Sequence, residues 1–177
     1  LREIRNSEAS SLYSEDGELL GKYYVENRTN VMFGGISRNA VNALIATEDV
    51  RFYEHHGFDK VSMLRVLCKT LLLGDKSSGG GSTISQKWAK NLYPRQYNSR
   101  FMIPVIKIKE IITAHRLEKL YTKDEILTLY LNTVSFGEGT FGIESAAQKY
   151  FSTTATHLSI PEAATLIGLL KGPSYYN

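Results

Sequence analysis

From Arg38 to Leu170 the apolar residues of this chain recur three and four places apart, and that spacing, more than anything else in the sequence, limits the folds open to it. Val41, Leu44 and Ile45 share a face of a first segment, expected to run as a helix past Glu48 with Phe52 one turn beyond. Lys60 to Leu73 reads as a second helix, apolar over more than half its circumference through Val61, Leu64, Val66, Leu67 and Leu71 to Leu73; core packing or membrane contact would both explain it, and core packing is the one expected. Pro104 fits the first turn of a long helix reaching Leu120. Two capping boxes, Thr122-Lys123-Asp124-Glu125 and Ser159-Ile160-Pro161-Glu162, launch further helices, and Ile143 to Phe151 reads as another. Ahead of them all, Asp16-Gly17 stands between two short apolar runs, a hairpin signal that predicts a small β element.

With 177 residues and 42% hydrophobic content, the chain fits one ordinary domain or a core with a small lobe. Its 21 basic and 18 acidic residues leave a net charge of +3, too small to argue for nucleic acid. Cys68 is the only cysteine, so no intrachain disulfide forms, and its apolar helical setting predicts a buried thiol. No run approaches the roughly 18 apolar residues that would cross a bilayer. The chain opens on Leu1 and not on methionine, which leaves room for a longer parent with a preceding anchor. His55 and His56 are adjacent while His115 and His157 stand alone, so the histidines make no metal-spaced set. There is no Gly-x-Ser-x-Gly elbow and no dinucleotide fingerprint.

Chemistry concentrates at three places. Thr47 to Gly57 puts Glu48 and Asp49 side by side at the end of an apolar-periodic segment, and an apolar setting suits a general base, which makes Glu48 the candidate. The plainer reading pairs Glu48 with Arg51 as an i,i+3 surface couple. Asp75 to Gly81 cannot hold regular structure and reads as a mobile loop beside the site. After it, Ser82 or Thr83 caps a helix whose free amides face an anion, with Gln86 and Lys90 continuing down the face of Ser82. The spacing is not that of a P-loop, and a flexible linker entering a solvated helix would read the same. In the long helix, Val105, Ile108, Ile111 and Ile112 form a stripe expected to pack, while Lys107, Glu110 and Ala114 share another face. Lys109 projects about 100° around from Glu110. Val134 to Gly142 alternates aromatics with glycine, as a substrate-lining turn or a tight helix connection would.

Taken in order, Glu48-Asp49-Val50-Arg51-Phe52-Tyr53-Glu54-His55-His56-Gly57, Gly81-Ser82-Thr83-Ile84-Ser85-Gln86, Lys107-Ile108-Lys109-Glu110, Ile126 to Asn132 and Glu162 to Asn177 resemble the motifs of peptidoglycan glycosyltransferases, over most of the chain from about Tyr13. The resemblance implies a mainly α fold: a lysozyme-like helical head lobe, a smaller membrane-proximal jaw lobe and a short N-terminal β element. It divides the chain into an N-terminal β-containing linker, 1–37, and a glycosyltransferase domain, 38–177, with about 58–100 forming the jaw and mobile loop. It implies lipid II and the growing glycan strand as substrates, a jaw touching the membrane, inhibition by phosphoglycolipids of the moenomycin type, and the extracytoplasmic face of the bacterial cytoplasmic membrane. Carried over residue by residue, Glu48 is the general base and Glu110 the second catalytic carboxylate, while Asp49, Ser82, Thr83, Gln86, Lys90, Lys107 and Lys109 bind the diphosphate or adjoining sugars. No cofactor is required; a divalent cation, Mg or Mn, could share the diphosphate, although no carboxylate cage is visible.

Two positions depart from the motifs. Lys87 stands where a second glutamine is usual, and Ile106 where arginine usually precedes the motif lysine; Lys87 is read as replacing part of the charge lost at Ile106. These departures motivate one alternative, a module that binds lipid II with little or no turnover. A lysozyme-like glycan-cleaving enzyme is another, since paired carboxylates serve it too.

Overall fold

In the computed structural model, which describes residues 10–23, 27–73, 81–93 and 102–171, helix follows the apolar spacing closely and the chain is mainly α. The hairpin comes first. β1 (Ser10–Tyr13) pairs antiparallel with β2 (Leu19–Tyr23), and Gly17 in the turn takes a φ of 86°, where a side chain would be strained. β3 (Asn27–Arg28) pairs in parallel with β4 (Thr140–Phe141). The helices are α1 (Arg38–Glu48), α2 (Lys60–Leu73), α3 (Ile84–Leu92), α4 (Ile103–Leu120), α5 (Lys123–Thr133), α6 (Ile143–Phe151) and α7 (Ile160–Leu169). Both capping boxes form: Thr122 N–H donates to Glu125 at 2.7 Å and Ser159 N–H to Glu162 at 2.8 Å.

The chain gathers into two compact units. One holds the residues up to Ala43 and from Leu131 onward, with Ile36, Phe136, Ile143, Leu158 and Leu166 in its interior. Within it the Asn132 amide donates to Val31 O at 2.8 Å and accepts from Val31 N at 3.1 Å, so a side chain takes the part of a neighbouring strand. The other unit runs from Leu44 to Tyr130 and contains every candidate site residue named above. There α3 packs on α4, with Trp88, Phe52, Ile84 and Leu117 fully buried. Trp88 meets Tyr121 edge to face at 5.5 Å.

Four expectations are corrected. α1 ends at Glu48 and does not carry Phe52; the chain turns at Asp49 because that carboxylate leaves the helix axis for partners described below, and Phe52 is buried from a turn. On α4 the apolar stripe does not pack: Val105, Ile108 and Ile112 are 43%, 58% and 48% exposed, while Glu110, Ala114 and Leu117 are buried. The inward face is set by the small Ala114, which admits a close neighbour, and by the charged pair it accompanies. On α2, Val61 and Leu64 are likewise exposed, and so is Cys68, not buried. The loop read as mobile lies outside the described residues apart from Gly81, as does the closing segment from Gly172.

Candidate active site

Asp49 is the first fixed point. Its carboxylate accepts from His55 Nε2 at 2.9 Å and 3.0 Å and from the backbone N–H of Ile84 at 3.0 Å, so it locks the turn after α1 to the first residue of α3. Buried acceptors of this kind are strong when fully paired. Thr83 then caps α3: its hydroxyl accepts from Gln86 N at 3.2 Å and donates to the carbonyl of Gly57 at 2.9 Å. Asp49 and Thr83 are both buried with their oxygens engaged, and they shape the site more than they line it.

Gly57 is the second. Its φ of 82° favours glycine, and a Cβ there would come within 2.8 Å of the Ala114 and His115 backbone of α4. Its carbonyl also receives the Gln86 side-chain amide at 3.0 Å. One peptide oxygen therefore joins the loop after Glu48, the start of α3 and, through the close approach, α4.

On that frame Lys107 Nζ donates to Ser82 Oγ at 2.8 Å and Gln86 Oε1 at 2.7 Å, and lies 3.4 Å from Glu110 Oε2. Glu110 is buried, whereas the Lys107 side chain keeps 27% of its surface exposed. A partly exposed ammonium held by two neutral acceptors and one carboxylate is preorganised for an incoming anion. Lys90 and Lys109 are exposed and join none of these hydrogen bonds.

Glu48 closes α1 with its side chain 8% exposed. An anion at a helix C-terminus faces the negative end of the helix dipole, and burial adds to the cost, so a cation beside it is needed. Lys87 supplies it, donating to Glu48 Oε2, while Glu48 Oε1 is buried without a hydrogen-bond partner. Burial, with the Glu48 charge added to it, pushes the Tyr130 phenol well above its ordinary value, which keeps that hydroxyl protonated.

The expected surface pair of Glu48 with Arg51 does not form. Arg51 instead grips Asp59, at 2.7 Å and 2.9 Å from Nη2 and 3.1 Å from Nε, and Asp59 caps α2 by accepting from Val61 N and Ser62 N. Nor does Lys87 make up for the charge missing at Ile106, because its ammonium is spent on Glu48. Sequence reasoning passed over two further supports. Gly57 is one. Glu118, which accepts from Ser85 and from Lys123 at 2.8 Å, is the other. A glycine closing a charged turn was the one signal in the sequence for Gly57, and Glu118 lies too far along the chain from Ser85 to be paired with it by spacing.

A cavity of about 560 Å³ in the same unit is lined by Arg51, His55, Phe58, Val61, Ile111 and His115, among others, and touches neither Glu48 nor Lys107. Among the described residues no group of three or more His, Cys, Asp or Glu is arranged to hold a metal ion.

This mainly helical chain, with a lysine on each of two buried carboxylates, matches the transglycosylase family model over residues 16–177. It is 42% identical over its whole length to penicillin-binding protein 1A of Escherichia coli (strain K12), of which it covers 20%. Over 96% of its length it is 39% identical to penicillin-binding protein 1F of Bacillus subtilis (strain 168), covering 23% of that protein, and over 92% it is 43% identical to penicillin-binding protein 2a of Streptococcus pneumoniae, covering 20%. The chain thus spans about a fifth of the length of the curated relatives it matches. It belongs to the transglycosylase family, the peptidoglycan glycosyltransferases that its motifs resemble.

Proposed function

We propose that this domain polymerises lipid II into β-1,4 glycan strands by inverting transfer, with Glu48 as general base. The observation that carries the reading is the presence, within one compact unit, of a largely buried carboxylate, Glu48, and of an ammonium held by Ser82 and Gln86, Lys107. The 4-hydroxyl of one lipid II attacks the anomeric carbon of the glycan on the undecaprenyl diphosphate. Glu48 takes the hydroxyl proton, the new C–O bond forms as the old one breaks, and the electron pair departs with the diphosphate. A diphosphate needs positive charge where its own develops more than it needs a proton. Lys107, held by Ser82 and Gln86, meets that need, with Lys90 and Lys109 as outer cations; Glu110 orients Lys107.

Mg or Mn could share the diphosphate; among the described residues no carboxylate cluster is arranged to hold it, and Glu48 and Glu110 face lysines. Phosphoglycolipids of the moenomycin type would compete for the same lysines.

No described helix is long and apolar enough to cross a membrane. The exposed Val61 and Leu64 on α2 and Ile108 and Ile112 on α4 support peripheral contact with the bilayer that holds the prenyl donor, at the extracytoplasmic face of the bacterial cytoplasmic membrane. Of these, Val61 and Leu64 fall in the stretch of about 58–100 expected to form the jaw.

Full-length protein given labelled lipid II in detergent is expected to make polymer, and Glu48→Gln almost none. Full polymer yield from Glu48→Gln would overturn the base assignment.

A further inference from the structure

Lys87 is the residue of the site that the proposed chemistry leaves without a task. Its place is nonetheless well fixed. Its own N–H closes the first turn of α3 on Thr83 O at 3.0 Å, and the residue before it, Gln86, is held by Gly57 and Lys107 at once. Rotation of α3 about its axis would break those bonds, so the direction in which Lys87 leaves the helix is set. It ends on Glu48 Oε2.

The two oxygens of a carboxylate are chemically alike until something distinguishes them. Here Oε2 receives the ammonium of Lys87, and Oε1 is buried with no partner among the described residues. A base whose last torsion is free spends much of its time with neither lone pair on the acceptor, and misalignment of that kind costs rate. We infer that Lys87 is a positioning residue for the transfer: it anchors Oε2 and so fixes the orientation in which the Glu48 carboxylate meets the acceptor hydroxyl. The inference rests on the reading of Glu48 as the base.

The balance is simple. The proton passes from the acceptor hydroxyl to the Glu48 carboxylate, the acceptor oxygen bonds to the anomeric carbon, and the bond from that carbon to the diphosphate breaks with its electron pair. Lys87 keeps its protons throughout and touches neither sugar. It also stands apart from the anion-handling cation, because Lys87 and Lys107 hang from different carboxylates, Glu48 and Glu110. Two other roles would leave different traces. A lysine that binds the diphosphate directly would govern KM, and one that merely masks the base would, when removed, raise kcat.

The test uses the full-length protein with lipid II in detergent. Glu48→Gln is measured first, then Lys87→Met and Lys87→Arg, each with its melting temperature; Lys87→Leu replaces Lys87→Met should the latter not fold. The expected result is a kcat about 10 to 100 times lower for Lys87→Met with KM within about threefold, and recovery of most of kcat in Lys87→Arg, whose guanidinium reaches the same oxygen. An unchanged or raised kcat in folded Lys87→Met, a loss confined to KM, or no recovery in folded Lys87→Arg would overturn the inference. If Glu48→Gln itself keeps full yield, the base reading has failed and Lys87 falls with it; if Glu48→Gln is dead while Lys87→Met matches the wild type, only the role of Lys87 is lost.

Discussion

Lys107 Nζ lies 2.7 Å from Gln86 Oε1, and the same amide donates from its nitrogen to Gly57 O at 3.0 Å. Gln86 therefore works in two directions, holding the ammonium proposed to meet the diphosphate and the loop that follows the proposed base. Replacing it with Leu removes both bonds and leaves a buried carbonyl with one donor fewer. Gln86→Leu is expected to lose about 1–3 kcal/mol of stability and to lower polymerisation about 10- to 100-fold, read by denaturant unfolding and by the lipid II assay.

Gly57→Ala sets a Cβ against the backbone of α4 at 2.8 Å and forces a positive φ on a residue that disfavours it. Backbone cannot swing aside as a long side chain can. A loss of about 2–4 kcal/mol is expected, seen as a lowered melting temperature with both Glu48 and Lys107 chemically intact.

Asp59 makes a stability prediction that depends on pH. Burial would raise its carboxyl, but the Arg51 guanidinium bonds, with help from Ser62, outweigh burial and hold it well below its ordinary 3.8. Above about pH 5 both the folded and unfolded chains carry the ionised form, and the pair and helix cap contribute fully. As pH falls past 3.8 the unfolded chain takes up a proton that the folded one refuses, so this contribution declines and is lost as pH falls through the folded value. The gap in melting temperature between wild type and Asp59→Asn is expected to be widest near neutrality and to narrow steadily in acid; a gap that does not change with pH would contradict the assignment.

Ile108 and Ile112 offer the converse case, because both stand about half exposed on α4. Ile108→Ser with Ile112→Ser is expected to change stability by less than about 0.5 kcal/mol per site. Binding to anionic lipid vesicles, followed by sedimentation, is expected to weaken about 10- to 150-fold, since the two half-exposed side chains together withdraw about 1.5–3 kcal/mol of burial from the bilayer contact.

Local rules made much of this molecule legible. The hairpin at Asp16-Gly17, the bounds of α2, the start of α4 at Pro104 and both capping boxes follow from turn chemistry and helical spacing, which act over a few residues. The inward face of α4 was not legible, because hydrophobicity alone selects Ile108 and Ile112, whereas the packed face is chosen by the partners of Lys107 and Glu110. The end of α1 was missed for a related reason: Asp49 leaves the helix for His55 and Ile84, and the second of these is 35 residues away. Lys87 stood out as a departure from the motif, but its partner Glu48, 39 residues earlier, could be named only once α1 and α3 were seen together.

The clasp at Gly57 carries an implication for how this segment can vary. Asp49 is tied to Ile84 at one end of the turn and the Gly57 carbonyl to Thr83 and Gln86 at the other, so the length between them is gauged against a rigid helix start. The outward side chains of Glu54 and His56 are open to exchange. Adding or deleting a single residue in that span would pull one anchor out of reach and uncouple the proposed base from the helix that carries its lysine. Loop length, more than loop composition, is the quantity these two anchors constrain.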